Sequence, residues 1–319
     1  MMVKILDFNI THIKEAEKIA LMNYNEEKLS IPDLPQINRV PDLKLFAENA
    51  LGVAAFENGR LTGFLCCVKP FKRAFHSTDA IGVFSPMGAN GVIGENRAKT
   101  FALMYQAAGE KWIRAGAASH AVCLYAHDRN VQKQFFKYGF GMRCVDAISG
   151  MGDIEAVPFS GCDFMELPAC DFSQLFSLNQ LLIEQLGKSP SFMKYNPLTE
   201  DAFEQKNLYE KPRYFIAKRN EEIVAYLKIA DEGENFVCNV SDMTNICGAY
   251  CVLEYRGKGV FQNLLRYAIC KLKTEGYTRL GVDFESINPT AWGFWLKYFS
   301  AYTYSLVRRI DEHAVNDLL

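Results

Sequence analysis

Phe101, Met104, Tyr105, Ala108 and Trp112 recur at three- and four-residue spacing, and adding 160 to each number gives Phe261, Leu264, Leu265, Ala268 and Leu272. That spacing lays each set along one face of a helix. Gly116 and Gly276, again 160 apart, follow the two patterns as expected helix stops. Each helix is followed by a strand-like run, "AVCLYAHD" or "RLGVDFESIN", ending at Asp128 or Asn288, and then by the aromatic-rich "NVQKQFFKYGF" or "PTAWGFWLKYF". Upstream, "AAFENGRLTGFL" and "IAKRNEEIVAYL" each read as strand, polar turn, strand. A pattern of this length stated twice implies two domains of one fold, and 319 residues at 49% hydrophobic content can fill two cores. The expected class is α+β, with each domain a mixed, mostly antiparallel sheet flanked by helices. The expected domains span 1–155 and 160–319, joined within Asp153 to Cys162.

The halves differ where the first of those helices begins. In the second half, "TNICGAYCVLEY" reads as a strand and "RGKG" follows it directly, so Gly257 and Gly259 sit at a strand-to-helix turn. The first turn of a helix carries amides without intrahelical acceptors and the positive end of the helix dipole, which suits a phosphate. Glycines permit close backbone approach and positive φ, while Arg256 and Lys258 add cationic donors. The stretch is neither a Walker loop nor a dinucleotide fingerprint, which require G-x-x-x-x-G-K-[ST] and G-x-G-x-x-G. A solvated turn is the plain alternative. In the first half the position of Gly257 is taken by Arg97, and the longer loop "SPMGANGVIGENRAK" lacks the compact turn.

A net charge of -2 gives no bulk reason to expect nucleic acid or an anionic membrane as partner. No apolar run approaches the roughly 18 residues of a membrane span, and charges interrupt the start too early for a secretory signal. A soluble, cytoplasmic protein is expected. The ten cysteines are scattered, mostly in apolar runs such as "GFLCCV", with no C-x-x-C pair, and they read as reduced core residues rather than zinc ligands. No metal is expected. His120 and His127 flank one strand at a spacing that puts them on opposite faces, which favours structural hydrogen bonding.

With the glycine turn and the repeat in place, the sequence resembles the GNAT superfamily of acyl-CoA N-acyltransferases, in its tandem, two-domain form. The family's [RQ]-x-x-G-x-[GA] turn is matched by Arg256, Gly257, Lys258, Gly259 and Val260, with Phe261 in place of the final small residue. Its later motif, N-x-x-A-x-x-[LF]-Y-x-K-x-G-F, is matched at Asn288, Ala291, Phe294 and Lys297, with Trp295 where the family has Tyr and Phe299 where it has Gly. The resemblance implies two GNAT-like domains, the second binding acetyl-CoA and catalytic, the first degenerate, with Asp128 and Phe135 at the Asn and Tyr positions. It also implies coenzyme contacts from the Arg256 to Phe261 turn, from Asn288 on the pantetheine arm, and from the backbone of Tyr250, Cys251 and Val252.

The implied reaction is direct attack of an amine on the thioester carbonyl of acetyl-CoA, the co-substrate, with no covalent intermediate. It needs a base, a polarised carbonyl and a held coenzyme. Strand alternation puts Asp283 and Glu285 on one face as candidate bases, against the plain reading of solvated carboxylates. Tyr298 is the candidate acid, with Tyr302 and Tyr304 behind it. Cys251 has no local base and is not expected to be a nucleophile. A non-catalytic acyl-CoA sensor or assembly module is the second reading, favoured by Trp295, and a phosphate binder unrelated to acyl transfer is the third. The amine is open, and a monomer or homodimer is expected.

Overall fold

The computed structural model describes residues 3–76, 80–158 and 161–316. The chain forms two compact units, Met1–Val145 with Ala301–Leu319, and Asp146–Ser300.

The first unit opens with β1 (Lys4–Asp7), α1 (Ile13–Ser30), α2 (Lys44–Glu48) and the hairpin β2 (Val53–Glu57) and β3 (Arg60–Leu65). Asn58 and Gly59, at φ 50 and 78, make the tight turn that matches strand twist. Then come β4 (Gly82–Ser85), β5 (Asn90–Val92), α3 (Arg97–Arg114), β6 (Ser119–Tyr125), α4 (Arg129–Lys137) and β7 (Gly141–Ser149). One sheet has the order β1-β2-β3-β5, and β4 runs parallel to β6. The expected apolar face of α3 is the core: Phe101, Met104, Tyr105, Ala108 and Trp112 are buried against Val122, Leu124 and Phe135. Burying one large apolar side chain is worth about 1.5–3 kcal/mol, so this face alone fixes the helix on its sheet. Trp112 also donates its indole N–H to the Leu51 carbonyl at 3.1 Å.

The second unit contains β8 (Asp163–Leu167), α5 (Phe176–Gly187), α6 (Glu200–Glu210), β9 (Arg213–Arg219), β10 (Glu222–Ala230), β11 (Met243–Cys251), α7 (Val260–Thr274), β12 (Arg279–Glu285) and α8 (Pro289–Tyr298). Its strands lie in the order β12-β11-β10-β9-β8. β8 to β11 are antiparallel neighbours, and only β11 with β12 is parallel. Leu264, Leu265, Ala268 and Leu272 of α7 are fully buried. α3 and α7 end alike, with Gly116 at φ 82 and Gly276 at φ 97 closing the last turn. Ala117 N reaches the Trp112 carbonyl and Tyr277 N the Leu272 carbonyl, the bond that ends a helix on a left-handed residue.

The chain closes with β13 (Ser300–Arg309) and α9 (Glu312–Asn316). Residues 301–319, expected with the second domain, count with the first unit, and the boundary falls inside β7 rather than between 155 and 160. The reason is strand pairing. β13 lies antiparallel on β6 from Thr303 opposite Tyr125 to Arg309 opposite Ser119, and buries Leu306 in the first unit's core.

All ten cysteines are free; Cys66, Cys67, Cys123, Cys238 and Cys251 are buried as expected, but Cys170, Cys247 and Cys270 are exposed. No group of three potential metal ligands and no helix long and apolar enough to cross a membrane occur among the described residues.

Candidate active site

The site is built on the turn between β11 and α7. Gly257 and Gly259 have φ values of 69 and 83, a region that costs an L side chain roughly 1–2 kcal/mol. Gly259 is the N-cap of α7, with no side-chain cap, and accepts the first helical hydrogen bond, from Asn263 N at 2.9 Å. The amides of Val260, Phe261 and Gln262 therefore have no acceptor inside the helix. Lys258 is exposed and Val260 is buried beneath the turn. Arg256 does not extend toward this anion position. Its Nε donates to the Cys251 carbonyl at 2.7 Å, a second guanidinium nitrogen bonds the Gln185 side chain, and the group lies over the Tyr250 ring at 5.2 Å.

β11 opens away from β12 above this turn. Their pairing runs from Met243 opposite Arg279 to Ile246 opposite Val282 and goes no further. At that level the register of β11 on β10 shifts, so that Cys247 forms a bulge between the Ile246–Ile229 and Gly248–Lys228 pairs. In an antiparallel ladder alternate residues turn both backbone groups to the partner strand. Val252 N donates to the Val224 carbonyl at 3.0 Å, so Val252 and Tyr250 face β10 while Ala249 and Cys251 face the opening. Of the three backbone contacts expected from sequence, Cys251 alone faces the opening, and Ala249 joins it.

A cleft of about 290 Å³ joins the turn to the opening. It is lined by Tyr250, Cys251, Arg256, Gly257, Gly259, Phe261, Asn288 and Tyr298, all singled out in the sequence. Its lining also includes Leu182 and Gln185 of α5, which no local signal marked. Asn288 is the N-cap of α8, its Oδ1 accepting from Thr290 N at 3.2 Å and Ala291 N at 3.3 Å. That use of Oδ1 leaves the amide nitrogen as the group able to donate to a ligand. Trp295 is 5% exposed and packed on Phe261, Phe294 and Phe299, so it fills space and brings no hydroxyl. Tyr298, one turn on, lines the cleft with the Lys297 ammonium 5.0 Å from its ring centre.

Asp283 and Glu285 lie on β12 beyond the last β11–β12 pair, and neither is part of the cleft lining. Burial pushes the Asp283 carboxyl up to about 7, and the carboxylates of Glu234, Asp146 and Glu285 push it the same way. A carboxyl poised there can take a proton near neutrality. The Cys251 thiol is pushed by burial to about 11, as expected of an inert buried cysteine.

The first unit closes the corresponding region with its own side chains. Asn90 Nδ2 bridges Ser85 Oγ at 3.0 Å and the Cys123 carbonyl at 3.1 Å. Arg97, in the first turn of α3, pairs with Glu26 and, at 3.5 Å, with Asp128. His127 donates its backbone N–H at 3.1 Å to the buried Glu27 carboxylate, which its Nδ1 also meets and which raises its ring pKa. His120 is buried, with Nδ1 3.0 Å from Tyr105 Oη and Nε2 3.1 Å from the Ala117 carbonyl, the structural role expected of it.

Residues 178–300 match the family model for the acetyltransferase (GNAT) family. The fold is similar to that of a GCN5-related N-acetyltransferase from Sphaerobacter thermophilus, with a TM-score of 0.55 at 10% identity over 96% of this chain and 95% of that one. It is also similar to the GCN5-related glucosamine N-acetyltransferase region of a fungal multi-domain β-N-acetylglucosaminidase, with a TM-score of 0.51 at 12% identity over 96% of this chain and 38% of that one. A tandem GNAT protein from the clavulanic acid biosynthesis pathway gives a TM-score of 0.47 at 11% identity, covering 97% of this chain and 98% of that one. At such identities the likeness is one of fold. No curated protein matches the chain.

Proposed function

Taking as premise that the chain carries a GNAT-family acetyltransferase domain at residues 178–300, we propose that its second unit transfers an acetyl group from acetyl-CoA to an amine. The observation that carries the reading is the continuity of the cleft from the Arg256–Gly259 turn, past Asn288, to Tyr298. The diphosphate of the coenzyme takes the amides of Val260 to Gln262, with Lys258 outside it. The pantetheine arm runs along Ala249 and Cys251 toward the opening at Cys247, with Asn288 Nδ2 as a donor. The amine attacks the thioester carbon directly. Asp283, held near neutrality by burial and like charge, receives the proton through water, with Glu285 beside it. Tyr298 donates to the departing thiolate in place of the absent family tyrosine. The first unit has no coenzyme in this reading, which is supported by Asn90 in its opening and by the acid-paired Arg97 at its helix start.

The test is to incubate the protein with acetyl-CoA and a mixture of small amines, amino acids, amino sugars and peptides, following coenzyme A release and product mass. An acetylated amine formed only with the wild-type protein supports the reading, and acetyl-CoA binding with no product from any class supports the sensor instead. The buried Trp295 favours that second reading, because it leaves catalysis to depend on Tyr298.

A further inference from the structure

Residues 153–157, which follow β7, lie along α7 and hold it at the end that carries the anion turn. Val157 N donates to Asn263 Oδ1 at 3.0 Å, and Asn263 Nδ2 donates back to the Val157 carbonyl at 2.9 Å. Gln262 Nε2 donates to the Glu155 carbonyl at 2.9 Å, and Lys273 pairs with Asp153 at 2.9 Å. A Cβ added to Gly259 would stand 2.6 Å from Val157 Cγ1, so the valine side chain occupies the space beside the turn that a larger residue would claim. Gly259 lines the cleft and Val157 does not, which puts the valine behind the turn. Asparagine within a helix is a poor local choice, since its side chain competes for the backbone and its propensity is low. Its place here is explained by the two hydrogen bonds to Val157.

We propose that Asn263 and Val157 are positioning residues for the anion turn, clamping Gly259 from behind so that the amides of Val260 to Gln262 stay aimed at the diphosphate of a coenzyme A thioester. The inference rests on the reading that this turn binds that diphosphate. Unclamped, Gly259 has the freedom of a residue without a side chain, and the amides lose their common direction. Val157 thereby acts on the coenzyme site from outside the cleft lining.

Asn263→Ala and Val157→Gly, made separately in the full chain, test this with two probes. Acetyl-CoA carries the diphosphate; acetyl-pantetheine carries the same arm and thioester without it. Each variant is expected to raise the calorimetric Kd for acetyl-CoA roughly five- to tenfold, the effect of losing one or two hydrogen bonds' worth of order. Acetyl-pantetheine binding, followed by ligand-observed NMR, is expected to stay at the wild-type value. Alanine is a better helix former than asparagine, so a weakened Asn263→Ala does not reflect a weaker helix. Wild-type affinity for acetyl-CoA in both variants overturns the proposal, as does equal loss of both probes. Failure of the wild-type protein to bind acetyl-CoA overturns instead the assignment of the site.

Discussion

Asp283 is the residue whose chemistry is most exposed to test. Its carboxyl is raised to about 7 in the folded chain, against about 4 for an unfolded aspartate. Below pH 4 both states hold the proton; between 4 and 7 only the folded state does, so the contribution to stability declines and is gone above 7. Asp283→Asn removes that decline. The variant should gain stability relative to wild type between pH 4 and pH 8 in urea titrations, and a pH-independent difference would contradict the buried, acid-surrounded carboxyl. In turnover the basic form is needed, so the wild-type rate should rise through about pH 7 and the variant should lose that limb with its coenzyme affinity retained. Arg256 carries a second prediction, because its guanidinium is committed to the Cys251 carbonyl and to Gln185. Arg256→Lys keeps the charge but loses the fork, so it should weaken acetyl-CoA binding nearly as much as Arg256→Ala, by roughly 1–2 kcal/mol in calorimetry. Equal affinity of the lysine variant and wild type would make Arg256 a plain phosphate cation.

Among the elements, α8 joins stability to binding through one side chain. Asn288→Ala removes the helix cap and should cost about 1 kcal/mol in denaturant unfolding. Asn288→Asp keeps the capping oxygen but loses the Nδ2 donor, so it should hold stability and still weaken acetyl-CoA binding. Loss of stability without loss of affinity in Ala, and neither loss in Asp, would confine Asn288 to capping. The two left-handed glycines of the turn and the apolar face of α7 were legible in sequence because each rests on chemistry within a few residues, whereas the capping role of Asn288 went unread. The opening was not. Which of Ala249, Tyr250, Cys251 and Val252 turns its backbone outward depends on the pairing of Val252 with Val224 and on the bulge at Cys247, neither of which has a local signature. Gln185 went unmarked for the same reason: α5 reaches the cleft through tertiary packing.

For the whole molecule, the repeat at an offset of 160 announced two similar units, and the matching of β7 at Gly141–Ser149 with β13 at Ser300–Arg309 extends it to the last strand. Alternation marks a strand but not the sheet that will accept it, so the pairing of β13 with β6 lay beyond the sequence. Removing residues 301–319 should therefore leave β6 with an unpaired edge and expose Leu124 and Phe135 of the first core. Limited proteolysis of the shortened chain should degrade residues 1–145 while sparing the second unit; the reverse pattern would contradict the unit boundaries. The measurement that bears most directly on coenzyme binding by the second unit is a calorimetric titration of acetyl-CoA into wild type and Gly257→Asp. Gly257 has open space around its missing side chain, and aspartate tolerates a left-handed backbone better than most residues, so the change adds negative charge at the anion position without crowding. One molecule bound per chain by wild type and none by the variant is the result expected. Two molecules per chain, or an affinity unchanged by the substitution, would place the coenzyme elsewhere.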